Sequence, residues 1–237
     1  MKIEGCVALV TGASRGLGKS LVAALLEAGA AKVYAGARDP AKIAPGNARI
    51  VPLRIDTSST ADLAAAAKTA SDVTLLVNNA GVMTAYGVLA ASDAELAADF
   101  RTNFYGTLAT IKAFVPVLER AHGAAIVNVL SLVSLGSFPA LGGYSASKAA
   151  AYSATQALRP ELRRKQIDVL AALPGPIDTD MVKALPIPKA RPEEVAKGIV
   201  EGIARGEEEI FPDPMAVQMG ALWRQSPKDY ERAFANL

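Results

Sequence analysis

A chain of 237 residues, 51% hydrophobic and 20% charged, is long enough to bury one full core and has the balance of a globular protein. Its formal net charge of +2 gives no reason to expect nucleic acid or an anionic membrane as a partner, and no apolar run reaches the length of a bilayer span. One Cys and one His exclude an internal disulfide and a Cys/His zinc site, so any redox chemistry is expected to run without tightly held zinc, and no metal site is expected.

The first residues, Met1-Lys2-Ile3-Glu4-Gly5, enter a strand pattern at once and leave no room for a signal peptide, so a cytoplasmic protein is expected. Cys6-Val7-Ala8-Leu9-Val10 is a short apolar run, as a strand buried on both faces reads, with Cys6 a buried filler. Thr11-Gly12-Ala13-Ser14-Arg15-Gly16-Leu17-Gly18 follows, then a helical pattern with Leu17, Leu21, Val22 and Leu25 on one side. Strand, glycine turn, helix is the context of a phosphate cradle: glycines allow close backbone approach, and the helix start offers unpaired N–H groups to a pyrophosphate. The competing reading is a plain glycine-rich turn between strand and helix.

The second strand, residues 32–37, ends at Arg38. NAD-binding sequences usually place an acid here to accept from the ribose 2′-hydroxyl. This chain has Arg38, which with Arg15 could pair a 2′-phosphate, favouring NADP(H) over NAD(H). Asp39-Pro40 reads as the start of the next helix, with Pro at its first position. A third strand at residues 49–55 leads to Asp56, and Thr57-Ser58-Ser59 offer caps for an Ala-rich helix at 61–70. The fourth strand, 73–77, ends in Asn78-Asn79-Ala80-Gly81. Strands alternating with helices at this spacing predict an α/β chain with a parallel sheet and right-handed crossovers.

Residues 93–121 read as one long helix containing Asn103, an unfavourable residue inside a helix whose alternatives are surface solvation or a functional reason. His122 precedes Gly123 at the helix end; it is the one residue that could serve a Ser-His-Asp hydrolase as base, and a polar residue near a C-cap is the simpler reading. The fifth strand, 124–129, delivers Ser131. A helix then runs to about residue 164, with Tyr144 and Lys148 four apart and therefore on one face. A free phenol titrates at about 10, and a neighbouring cation favours its ionised form. A sixth strand at 167–173 stops at Pro174-Gly175-Pro176, and a loop, a helix at 192–205, a short strand near 209–211 and a helical tail complete one domain over 1–237.

These motifs, in this order and spacing over about residues 5–205, resemble the short-chain dehydrogenase/reductase family: T-G-x-x-x-G-x-G at 11–18, N-N-A-G at 78–81, Asn103, Ser131, Y-x-x-x-K at 144–148, and Pro174-Gly175 with Thr179. The resemblance implies a doubly wound, three-layer α/β/α sheet of the Rossmann type with nicotinamide bound across its carboxyl edge. It implies that Tyr144 exchanges a proton with the substrate oxygen and that Ser131 holds that oxygen. Lys148 would bind the nicotinamide ribose and lower the Tyr144 pKa, and Asn103 would hold a water linking Lys148 to solvent. The cofactor would lie against Gly12, Ser14, Arg15, Gly16, Leu17 and Gly18, with Arg38 and Asp56 at the adenosine end. Asn79, Ala80 and Gly81 would line its middle, and Tyr144, Lys148, Pro174, Gly175, Ile177 and Thr179 its nicotinamide end.

Two departures from the family pattern stand out. Leu130 precedes Ser131 where many members carry a second Ser, and Ser134 and Ser137 are nearby hydroxyls. The tail at about 207–237 lacks the V-D-G-G ending of many tetrameric members, which counts against the common tetramer; a homodimer or homotetramer is expected, the dimer through the 93–121 and 144–164 helices. The loops at 82–89, 132–143 and 176–190 offer Met83, Tyr86, Leu135, Phe138, Leu141, Met181, Val182, Leu185 and Ile187, with Lys183 the obvious charge. That lining predicts an apolar or aromatic ketone or aldehyde, or the matching alcohol. Halohydrin-lyase chemistry would carry Arg in place of Lys148, and an extended epimerase would need a further C-terminal domain. A non-catalytic NADP-binding sensor or scaffold of the same fold remains the alternative.

Overall fold

Alternate residues of each central strand feed opposite faces, and this decides the architecture. Ala8 and Val10 of β1 (Val7–Thr11) pack into one core, and Leu9 between them packs into the other. β5 (Ala124–Val129) divides likewise: Ala125, Val127 and Val129 on the first side, Ala124 and Ile126 on the second. A shift of one residue would exchange the two sets, so the hydrophobic pattern holds the register. The computed structural model describes residues 1–44, 46–84, 86–121 and 123–235.

Five further strands complete the sheet: β2 (Lys32–Ala37), β3 (Ile50–Arg54), β4 (Leu75–Asn78), β6 (Ile167–Ala172) and β7 (Glu209–Ile210). All pair in parallel in the order β3-β2-β1-β4-β5-β6-β7. Strand order reverses between β1 and β4, which opens a crevice at their carboxyl ends. One face is covered by α1 (Gly16–Glu27) and α6 (Pro192–Arg205). The other is covered by α2 (Thr60–Thr69), α4 (Thr107–Leu118) and α5 (Gly142–Arg163), with α3 (Asp93–Phe100) packed beside α5. The chain ends in α7 (Pro214–Gln225) and α8 (Pro227–Ala235). No helix among the described residues is long and apolar enough to cross a membrane.

Local chemistry explains the boundaries. The Ser59 hydroxyl accepts from Asp62 N to start α2, Ser92 and Glu95 form a reciprocal capping box on α3, and Gly206 ends α6 at φ +72°. Two expectations need correction. The region after Asp39 is a single 3-10 turn, Pro40–Lys42, because Pro45-Gly46 follow in the sequence and disfavour continuation. The expected helix at 93–121 is broken by a π-helical segment, Arg101–Gly106, whose wider turn carries Asn103. The reading of His122 as a residue near a helix end lies outside the described residues. Cys6 is buried, and burial pushes its thiol up to about 11, as a neutral filler requires.

Candidate active site

The glycine turn is built by contact with the loop after β4. Thr11 Oγ1 accepts from the amides of Asn79 and Ala80, both at 3.0 Å, and Asn79 Nδ2 donates back to Thr11 O at 2.9 Å. Gly12 and Gly16 take positive φ, +68° and +51°, which other residues adopt only with strain. A Cβ at Gly18 would stand 2.2 Å from Gly12 O, so only glycine fits there. The N-cap of α1 is Arg15, with no side-chain cap and no acid in the first turn, so the helix start keeps amides and a positive dipole end for an anion. These residues fit a dinucleotide pyrophosphate.

A cleft of about 1050 Å³ extends from this turn along the carboxyl edge of the sheet. Every residue expected to bind the cofactor lines it: the glycine turn with Ser14, Arg15 and Leu17, then Arg38 and Asp56, then Asn79, Ala80 and Gly81, then Tyr144, Lys148, Pro174, Gly175, Ile177 and Thr179. Ser131 lines it too, whereas Ser134 and Ser137 do not. Ser134 instead accepts from Ser131 N at 3.3 Å and caps the turn Leu132–Ser134. Arg38 and Lys42 stand at the adenosine end, and Arg15 of the glycine turn pairs with Asp180 at 3.4 Å. Asp39 is committed to Ala41 N at 3.2 Å and pairs with Lys42. Hydrogen bonds from Ser58, joined by the charges of Arg38 and Arg54, hold Asp56 below the usual carboxylate range.

Tyr144 and Lys148 lie in the first turns of α5, both buried, with the ammonium 5.8 Å from the centre of the phenol ring. Lys148 Nζ donates to Val129 O at 3.0 Å, which ties it to the end of β5. Burial pushes the lysine down to about 8, and the charge of Asp99 opposes that fall. The expected lowering of the Tyr144 pKa is not the net result. Burial pushes the phenol up, the negative charge of Asp99 adds to it, and the nearby ammonium does not overcome them.

Asn103 stands behind the cleft wall rather than in it. Its Oδ1 accepts from Val82 N and its Nδ2 donates to Val82 O and Ser147 Oγ, each at 2.9 Å. A Cβ on Gly81 would meet Asn103 Oδ1 at 3.2 Å and Lys148 Nζ at 3.5 Å, so glycine lets the loop pass between them. One turn earlier, Asp99 is fully buried and accepts from Thr84 N at 2.9 Å and Thr84 Oγ1 at 2.8 Å. Together they pin the loop after β4 at two points.

On the substrate side the cleft is lined by Met83, Phe138, Leu141, Met181, Val182, Leu185 and Ile187. Tyr86, Leu135 and Lys183 are not part of the lining. Two residues from the chain's end are: Met215 of α7 and Phe234 of α8, packed with Leu132, Val133, Leu141 and Tyr144. Neither was expected in the cleft from the sequence. The spacing of Tyr230 and Phe234 marks a helix face, but nothing in it says where that face docks.

A family model described as short chain dehydrogenase matches residues 6–189. The chain belongs to that family. Among curated proteins it is similar to the oxidoreductase claN of Passalora fulva, 39% identical over 189 residues, covering 76% of this chain and 86% of the relative. It is also 32% identical over 192 residues to the 3-oxoacyl-acyl-carrier-protein reductase FabG of Vibrio cholerae, covering 78% of this chain and 79% of that one. Among solved structures it is similar to a short chain dehydrogenase of Burkholderia cenocepacia in complex with NADP, at 40% identity and a TM-score of 0.93, covering 99% of both chains. The seven-stranded sheet and the cleft at its switch point are therefore those of a short-chain dehydrogenase with a helical C-terminus.

Proposed function

We propose that this short-chain dehydrogenase is an NADP(H)-dependent reductase of apolar or aromatic ketones or aldehydes, with Tyr144 as the proton donor. The observation that carries the reading is the meeting of Ser131, Tyr144 and Lys148 in one cleft with the glycine cradle. Bound nicotinamide would supply the hydride. Tyr144 holds its proton at Oη, and burial keeps it there, which is the state a carbonyl oxygen needs from a donor. Ser131 Oγ accepts from Val133 N at 3.3 Å, and its own proton is directed to the substrate oxygen. Lys148 brings a positive charge beside the phenol, which stabilises the phenolate left after transfer. Asn103 is proposed to hold the loop beside Gly81, and with it the water path to Lys148.

Arg38 and Lys42 at the adenosine end, with Asp39 turned to its own backbone, support NADP(H) over NAD(H), as does the NADP held by the Burkholderia relative. The apolar lining supports the substrate class. A homodimer or homotetramer through the helices from α3 to α5 is part of the same proposal. The test is a panel of carbonyl compounds followed by loss of nicotinamide absorbance with each reduced cofactor. Turnover of uncharged apolar ketones with NADPH is expected, and a preference for strongly anionic substrates would overturn the substrate class.

A further inference from the structure

The C-terminal helices are fastened to the two loops that carry the reacting end of the cleft. Asp213, buried at the head of α7, accepts from Ala216 N with one oxygen and from Gly175 N with the other, both at 2.9 Å. On α8, Tyr230 is fully buried, and its hydroxyl donates to Leu132 O at 2.7 Å. The ring reaches that carbonyl across Gly136, where a Cβ would stand 2.8 Å from two of its carbons. Leu132 N in turn donates to Pro174 O at 2.9 Å.

The carbonyl that Tyr230 holds, and that also accepts from Leu135 N at 3.0 Å, belongs to the peptide whose other end is the Val133 N–H. That N–H donates to Ser131 Oγ at 3.3 Å. A peptide unit is planar, so fixing the carbonyl end fixes the direction of the N–H end. A phenylalanine would fill the same volume, and burying a hydroxyl is unfavourable unless it is bonded, so the oxygen of Tyr230 contributes through this bond and not through packing.

We infer that Tyr230, through the Leu132–Val133 peptide, is a positioning residue for Ser131, setting which way the serine hydroxyl presents its proton. The inference rests on the reductase reading above. With Val133 N–H occupying a lone pair of Ser131 Oγ, the serine proton stays aimed into the cleft. Loosening the peptide would leave Ser131 in place with its hydroxyl free to turn away.

The test compares Tyr230→Phe with the wild type in steady-state ketone reduction with NADPH and in amide hydrogen exchange. A fall in kcat of about tenfold with the KM for NADPH unchanged is expected, as for a slightly misaimed group. Val133 should exchange faster while the amides of α8 keep their protection. Gly136→Ala, which pushes the ring off the carbonyl without removing the hydroxyl, should reproduce both effects. An unchanged kcat, an unchanged Val133 exchange rate, or a loss of thermal stability alone overturns the inference. A wild type inactive on every carbonyl tested overturns the reductase reading instead, and the exchange of Val133 then decides by itself whether Tyr230 holds the peptide.

Discussion

Lys148 stands 5.8 Å from the centre of the Tyr144 ring and spends one donor on Val129 O. The lysine is thereby anchored to the strand that delivers Ser131, and the three groups keep their spacing through β5 and the start of α5. Burial lowers the lysine and raises the tyrosine, so the pair rests as a titratable cation beside a neutral phenol. That resting state sets the first prediction.

Lys148 should lose its proton at about pH 8, and ketone reduction should decline above that pH as the charge that stabilises the phenolate disappears. Asp99→Asn removes the negative charge that holds the lysine up, so the same limb should move to lower pH. The folded pKa of Lys148 lies below its unfolded value of 10.5, so between about pH 8 and 10.5 the unfolded chain binds more protons and stability rises with pH. Denaturant titrations should show the wild type gaining stability relative to Lys148→Met as pH rises through this window. A constant difference would contradict it.

Arg38→Ala should weaken NADPH binding by about tenfold or more, the loss of a charge-assisted hydrogen bond, while NADH binding changes little. Titration of each cofactor by nicotinamide fluorescence reads both. Equal losses would show that Arg38 does not contact the 2′-phosphate.

Gly18→Ala forces a methyl to 2.2 Å from Gly12 O, and the obstacle is backbone, so the turn itself must move. Cofactor binding should be lost and stability should fall by about 1–3 kcal/mol, the range for overpacking. Calorimetry with and without cofactor checks both. Wild-type affinity would show that the cradle is not where the pyrophosphate sits.

Phe234→Ala opens the substrate end of the cleft beside Tyr144 and removes no atom of Ser131, Tyr144 or Lys148. The ratio of kcat/KM for a bulky aryl ketone to that for a small aliphatic ketone should rise by about tenfold, within the worth of a few methylenes in an apolar pocket. An unchanged ratio would place the substrate away from α8.

Much of this was legible in the residues. Parallel strands buried on both faces read as continuous apolar runs, and β2 and β5 fall on the residues expected. The glycine turn was legible because its φ values and close contacts admit no other residue. The π-helical break at Asn103 was not, because an unfavourable Asn inside a helical pattern does not say how the turn deforms, and the break accompanies contacts with Val82 and Ser147 far along the chain. The net shift of Tyr144 was missed because the sequence shows the cation four residues away and not the extent of burial or Asp99. Tyr230 and Phe234 fall in a tail that reads only as helical, and their partners lie about a hundred residues earlier, so only packing brings them together.

In the proposed mechanism the Tyr144 hydroxyl passes the proton while Ser131 and Lys148 hold oxygen and charge in place. Single-turnover hydride transfer from NADPH to an apolar ketone in Tyr144→Phe tests it most directly, because the ring and its packing remain. A rate lower by about a hundred- to ten-thousand-fold is expected, with NADPH affinity unchanged. A rate equal to the wild type would remove Tyr144 from the chemistry.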